Sequence, residues 1–304
     1  MTERELQNEI NSLRAEVKRL RRSMTELTPP LAALLRRRGF KVYKKEPPDD
    51  LLIPEEGFID EYYRFLNRYS FRLFLRDVIK HQELFTVKDV TRYATQEVTK
   101  DYVEYLLRIG LIEGIRGRSD LFCLKKHPVK SFGPTLEWFI SEVFKREFDA
   151  EAIWGVKFKR PVVGGDYDLI AKVDGSILYM EVKSSPPKQI YANEVSAFLD
   201  RVSDLMPEIA VFFMDTELRM KDKIVPMFED EIRNRAPQKI IDFLGTPVRS
   251  AEETSNLLGA TETPGIDRME KELFHIKNKI FIINAKDSIV NNIERVLIWH
   301  FRRL

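Results

Sequence analysis

One stretch constrains this chain more than any other. Two runs of β-formers, Tyr167 to Val173 and Ser176 to Val182, are separated by Asp174-Gly175. Both turn positions tolerate positive φ, so the dipeptide marks a two-residue hairpin turn. Such a turn pairs Val173 with Ser176, and counting outward sets Asp168 opposite Glu181. Glu181 and Lys183 stand two apart and share a face of their strand. Directly opposed residues of an antiparallel pair have Cβ atoms roughly 4.5–5.5 Å apart, where like charges repel. The flanking residues, among them Leu169, Ile170, Ile177, Leu178, Met180 and Val182, are apolar on both faces, so the hairpin reads as core. Two carboxylates in a core strand are costly unless a cation lies between them. The turn length decides this, because a three-residue turn would move one carboxylate to the other face. The alternative is that Asp168 and Glu181 lie at solvated strand ends, where Lys183 neutralises them.

The run Asp168-Leu169-Ile170-Ala171, a turn, and then Met180-Glu181-Val182-Lys183-Ser184 resembles the signature of the PD-(D/E)xK nuclease superfamily. Asp168 matches the motif aspartate, and Glu181 with Lys183 matches the E-x-K; the usual leading proline is absent. The motif is short, but its hydrophobic framing makes it more specific than the bare pattern. The resemblance implies an α/β fold with a restriction-endonuclease-like core, a central mixed sheet flanked by helices. It implies hydrolysis of phosphodiester bonds by a metal-activated water. Asp168 and Glu181 would ligate Mg²⁺ or Mn²⁺, hard ions that favour oxygen ligands. Lys183 would orient the attacking water or help deprotonate it, and the metal would lower that water's pKa.

Relatives of this kind usually carry another acid on the first core helix. After Gly133-Pro134-Thr135, residues Leu136, Phe139, Ile140, Val143 and Phe144 form an apolar stripe at helical spacing. Glu137 flanks that stripe and is the candidate third acid and metal ligand, whereas Glu142 points away. Glu137 is equally explained as a first-turn glutamate favouring the helix dipole. Beyond the hairpin, Pro186-Pro187 breaks the strand, and a helix is predicted from about Gln189 to Leu205. The resemblance makes Gln189 a candidate contact to phosphate or water, with Lys188 and Tyr191 beside it. A plain surface helix start is the other reading.

The rest of the core reads coarsely as a buried strand at 209–213, a helix at 222–234, a strand at 279–284 and a closing helix at 288–303. Residues 236–276 hold the breakers Gly245-Thr246-Pro247 and Thr263-Pro264-Gly265, and read as an insertion. The nuclease-like domain is thus expected over 131–304.

Ahead of it, Leu6, Ile10, Leu13, Val17, Leu20 and Met24 alternate by four and three, an a/d pattern that predicts a short coiled coil over 1–27. It implies a homodimer; a long amphipathic helix packed on its own chain is the alternative. Residues 28–58 hold a basic segment, Arg36-Arg37-Arg38-Gly39-Phe40-Lys41-Val42-Tyr43-Lys44-Lys45, and a linker at Pro47-Pro48-Asp49-Asp50. Cations interleaved with aromatics suit a nucleic-acid patch, although such runs are usually solvated faces.

Residues 59–130 resemble a winged helix-turn-helix domain. Helices are predicted at 60–81, 86–93 and 99–109, then Gly110-Leu111-Ile112, a strand, an Arg116-Gly117-Arg118 turn and a returning strand Leu121 to Leu124. The third helix carries Glu97, Asp101 and Glu104 against Lys100 and Arg108, which suits groove reading poorly. Arg116, Arg118, Lys125 and Lys126 of the wing are better candidates for phosphate contact. The domain would serve equally as an oligomerisation or docking module.

Composition narrows the classes. Of 304 residues 32% are charged, yet net charge is only +2, so a nucleic-acid site needs a local basic patch. One cysteine, Cys123, excludes an internal disulfide, and four scattered histidines argue against a zinc site. No apolar run reaches the roughly 18 residues of a membrane span, and no signal peptide is recognisable, so a cytoplasmic protein without membrane contact is expected. The expected activity is that of a metal-dependent nuclease acting on DNA, with RNA open as a substrate. A catalytically silent nuclease fold that binds DNA or regulates is the second class.

Overall fold

Eight strands form one mixed sheet with helices on both faces. The computed structural model describes residues 28–235 apart from 127 and 160–162, residues 265–302, and the isolated positions Glu9, Ser12, Leu13, Glu16 and Arg19. Most of the coiled-coil pattern (Leu6, Ile10, Val17, Leu20 and Met24) and residues 236–264 lie outside the described residues. Glu9, Ser12, Leu13, Glu16 and Arg19 are helical.

The described chain opens with helix α1 (Leu31–Arg37) and strand β1 (Val42–Lys44). Helices α2 (Ile59–Leu66), α3 (Tyr69–Lys80) and α4 (Gln96–Arg108) follow, then a two-stranded hairpin of β2 (Ile112–Ile115) and β3 (Arg118–Leu124). The first long helix expected from sequence is two, because the chain turns at Asn67-Arg68, where Arg68 is extended. The expected second helix is a single 3-10 turn, Val87–Val90, closed by a capping box between Thr86 and Asp89.

The main unit runs α5 (Gly133–Glu147), β4 (Glu151–Phe158), β5 (Tyr167–Val173), β6 (Ser176–Lys183), α6 (Ala192–Leu205), β7 (Ile209–Met214), α7 (Ile224–Asn234), β8 (Asp267–Glu270), β9 (Leu273–Ile276), β10 (Ile280–Asn284) and α8 (Ile289–Phe301). Strand order is β1-β4-β5-β6-β7-β10-β9-β8. β7 runs parallel to both β6 and β10, and the remaining neighbours are antiparallel. Strands β1 and β4 were not anticipated from sequence. Residues 267–276, read there as part of an insertion, form β8 and β9 at one edge of the sheet.

Two apolar layers hold the sheet. One face packs on α5, α8 and the α2–α4 segment; Phe71, Tyr102, Phe139, Leu169, Met180 and Phe213 belong to this continuous cluster. The other face packs on α1, α6 and α7 through Leu35, Phe198, Val202 and Phe228. The helices before residue 130 therefore share a core with the sheet. An ion cluster stitches them further. Arg72 and Asp215 are both buried; Arg72 reaches Asp215 Oδ1 through Nε at 2.9 Å and Nη2 at 2.8 Å, and Arg76 caps Oδ2. Among the described residues no helix is long and apolar enough to cross a membrane.

Candidate active site

The hairpin turn settles the register first. Asp174 and Gly175 have φ of 48° and 82°, as a two-residue primed turn requires. Val173 pairs with Ser176 and Leu169 with Met180, which leaves Asp168 facing Glu181. β4 lies on the other side of β5, where Trp154 pairs with Leu169 and Val156 with Tyr167, so Gly155 faces Asp168.

A reversal in the pleat falls at this point. On β5, Leu169, Ala171 and Val173 enter one layer and Ile170 the other, yet Tyr167 also joins the layer of Ile170. On β4, Ala152 and Trp154 share the first layer, while Ile153, Val156 and Phe158 share the second. Alternation therefore breaks at Gly155 and Asp168 together, as in a local bulge. Gly155 has φ +56°, and a Cβ there would sit 2.6 Å from Pro47 Cδ and 3.8 Å from Glu137 Oε2. A glycine is needed for the kink and for the close approach of the Pro47 ring, while Glu137 lies at ordinary contact distance. At the kink Asp168 Oδ2 accepts the Val182 N–H at 2.8 Å.

Glu181 is buried and fully engaged. Its Oε1 lies 2.9 Å from Lys183 Nζ, and its Oε2 lies 3.0 Å from Arg201 Nη1. Tyr179 also donates its hydroxyl to Oε2. Lys183 Nζ reaches Glu194 Oε1 at 3.2 Å, and Glu194 Oε2 accepts the Tyr191 N–H at 3.0 Å, fixing the start of α6. Arg201 is pressed against the Gly165 backbone: a Cβ at Gly165, where φ is +103°, would meet Arg201 Nη2 at 2.7 Å. The Arg201 Nε is buried without a hydrogen-bond partner among the described residues.

The charges follow from this packing. Burial raises the Asp168 carboxyl above its ordinary range, and the neighbouring Glu181 charge raises it further; the Val182 N–H and Lys183 pull the other way. Burial also raises Glu137, reinforced by the charges of Asp168, Glu181 and Asp166. Burial alone would lower Lys183, but Glu181 and Asp168 outweigh it, and the amine is held as an ammonium. Three acids thus share one low-dielectric field, with Lys183 and Arg201 as the counter-cations. Among the described residues no group of three or more His, Cys, Asp and Glu side chains is gathered as a ready metal site. Glu181 turns its two oxygens to cations of the chain itself.

Asp168, Glu181, Lys183 and Glu137 are therefore brought into one field. Lys188 and Gln189 are exposed on the 3-10 turn Pro187–Gln189, where the Lys188 carbonyl accepts a hydrogen bond from Lys223 Nζ at 2.9 Å. Arg116, Arg118, Lys125 and Lys126 are exposed on and after the β2–β3 hairpin, and none of them forms an ion pair with the acidic group. Arg201, Tyr179 and Glu194 went unread in the sequence. Arg201 carried a faint signal, a cation between Phe198 and Val202 on the buried stripe of α6.

No family model matches the chain, and no curated protein matches it. Two solved structures are similar in part. One is Can2 from Sulfobacillus thermosulfidooxidans in complex with cyclic tetra-adenylate, at 14% identity and a TM-score of 0.38, covering 60% of this chain and 50% of that one. The other is protein VC1899 from Vibrio cholerae, at 13% identity and a TM-score of 0.42, covering 67% of this chain and 56% of that one. The chain spans only about half the length of either.

Proposed function

We propose that this protein is a metal-dependent nuclease of the PD-(D/E)xK type, hydrolysing phosphodiester bonds in DNA. One observation carries the reading: Asp168 and Glu181 face each other across a core hairpin at a pleat reversal, with Glu137 and Lys183 in the same field. Buried carboxylates raised by neighbouring acidic charge, as Asp168 and Glu137 are, form a site that gains from a divalent cation. The donor set is all hard oxygen, which fits Mg²⁺ or Mn²⁺. Asp168, Glu181 and Glu137 would hold the ion, Glu181 by giving up its contact with Arg201. Once bound, such an ion supplies a water of lowered pKa and neutralises charge gathering at phosphorus. Lys183, an ammonium, would donate hydrogen bonds that orient the attacking water, in preference to removing its proton. Arg201 would then be free to balance charge on the substrate phosphate.

The α2–α4 segment with its β2–β3 hairpin fits a winged-helix module for docking. The exposed face of α4 carries Glu97, Asp101 and Glu104, and its Arg108 is paired with Glu61 at 2.6 Å. Groove reading by α4 is therefore disfavoured, and the hairpin cations Arg116 and Arg118 are the better phosphate contacts.

A second reading, a nuclease fold without turnover, draws on the same Glu181, because its oxygens are already neutralised by Lys183 and Arg201. Cleavage assays decide between the two. Supercoiled, linear, single-stranded and four-way-junction DNA, and RNA, would be incubated with Mg²⁺, Mn²⁺ or EDTA. Metal-dependent cutting that is lost in Lys183→Ala, with DNA binding retained, is the expected result. Binding without cutting by the parent protein would favour the silent reading. Cutting by Lys183→Ala at the parental rate would mean the site lies elsewhere.

A further inference from the structure

The two edges of the sheet carry opposite charge characters. At one edge β8 presents Asp267, Arg268 and Glu270, a mixed set with an acidic excess. At the other, β1 presents Lys44, flanked by Lys41 and Lys45, with no acid until Glu46. Charged residues on an edge strand, lysine above all, guard against strand addition. Edge protection accounts for charge at either edge; at β1 the cations are in addition all of one sign and are gathered with Lys159, next to β4.

The pairing of β1 with β4 adds to it. Lys44 pairs directly with Lys157, and the Lys159 N–H donates to the Lys41 carbonyl at 2.8 Å. Like charges directly opposed across strands repel. Lys157 is offset by Asp166 at 2.9 Å, and Lys45 by Glu46 at 3.6 Å. Lys41, Lys44 and Lys159 are exposed and have no acidic partner within ion-pair distance among the described residues. Tyr43, between the first two, is also exposed, at 57%. A chain of net charge +2 thus gathers at one edge cations that have no acidic partner among the described residues, with an aromatic beside them.

Position relative to the acidic site completes the argument. Adjacent strands lie about 4.8 Å apart, so the basic edge is two steps from β5, about 10 Å from the line of Asp168. The mixed edge is five steps away, about 24 Å. Asp166, which pairs with Lys157, is two residues from Asp168.

We infer that the β1–β4 edge, through Lys41, Lys44 and Lys159, is a DNA-binding track that leads the phosphate backbone to the acidic site. The role of the track rests on the nuclease reading, but its existence is tested by binding alone. Each lysine that neutralises a duplex phosphate contributes about 0.9 to the slope of log K against log salt.

The experiment measures affinity for a fluorescent DNA duplex in EDTA across a range of salt. It compares the full chain with the triple variants Lys41→Gln/Lys44→Gln/Lys159→Gln and Lys41→Arg/Lys44→Arg/Lys159→Arg, and with Arg116→Gln/Arg118→Gln/Lys126→Gln. Melting temperature and the thermal shift given by Mn²⁺ are recorded for each. The expected result is a slope smaller by about 2–3 in the first triple variant, parental behaviour in the arginine variant, and an unchanged Mn²⁺ shift. An unchanged slope and affinity in the first variant would overturn the track, as would binding of RNA but not DNA. Absence of metal-dependent cleavage in a protein showing the expected slopes would sink the nuclease reading and leave the track standing.

Discussion

At the residue scale, the fate of Glu181 is the central point. It is a buried carboxylate satisfied by Lys183, Arg201 and Tyr179, and its partner Asp168 accepts the Val182 N–H, its one side-chain hydrogen bond among the described residues. Asp168 and Glu137 therefore hold protons in the folded state at pH values where the unfolded chain has lost them. With the native state binding more protons, metal-free stability is fully present below the ordinary carboxylate range and falls as pH rises through the raised folded values. Urea denaturation in EDTA should show a less stable protein at pH 8 than at pH 5. Glu137→Gln should reduce that difference by about 1–2 kcal/mol, one pKa unit being worth about 1.4 kcal/mol. Mn²⁺ should stabilise more at pH 8 than at pH 5, since it replaces the protons; equal shifts would argue against ligation by these acids. Arg201→Ala should weaken folding by leaving Glu181 half-compensated, while Arg201→Lys should recover most of the loss, measured by the same denaturation.

At the scale of elements, the β4–β5–β6 meander and α6 do the positioning. The primed turn fixes which carboxylate faces which, and the reversal at Gly155 faces Asp168. Gly155→Ala would place a methyl 2.6 Å from the Pro47 ring at a φ of +56°. Strain of this kind costs more than the ~1 kcal/mol of an ordinary Gly→Ala change in a left-handed site. The expected outcome is destabilisation of about 2–3 kcal/mol in urea with a weakened Mn²⁺ thermal shift, because the kink that faces Asp168 is disturbed. The same substitution at Gly175, whose Cβ would meet open space, should cost only the conformational penalty.

For the whole molecule, the α2–α4 segment and the sheet share one apolar core and are expected to unfold together. Asp215 ends β7, donates its N–H to the Lys183 carbonyl at 2.8 Å, and takes Arg72 and Arg76 on its carboxylate. The strand end that carries Lys183 is thereby tied to α3. Removing one partner of a buried ion pair leaves the other uncompensated and costs roughly 3–5 kcal/mol. Asp215→Ala should be destabilised on that scale, and joint replacement with Arg72→Met should recover part of it. Denaturation followed by tryptophan fluorescence and by far-UV circular dichroism should stay superimposable in the parent protein. Separate transitions for helices and sheet would contradict the shared core.

Local chemistry made much of this legible in the sequence. Asp174-Gly175 dictates a primed turn because few other dipeptides accept two positive φ values, and that turn alone set Asp168 against Glu181. The apolar stripe of α5 put Glu137 at its flank, and in the structure Glu137 Oε2 lies 3.8 Å from where a Cβ on Gly155 would stand. Other features depended on partners distant in the chain. β4 was unreadable because its kink at Gly155 breaks the alternation that marks a strand. β1 is three residues long and exists only through its pairing with β4. Arg201 meets Glu181 across 20 positions, Arg72 meets Asp215 across 143, and Lys44 meets Lys157 through a strand pairing. Sequence periodicity fixes which face a residue presents within its own element. Which charge it meets there is decided by how the elements pack, and in this protein that packing decides how the acids are held.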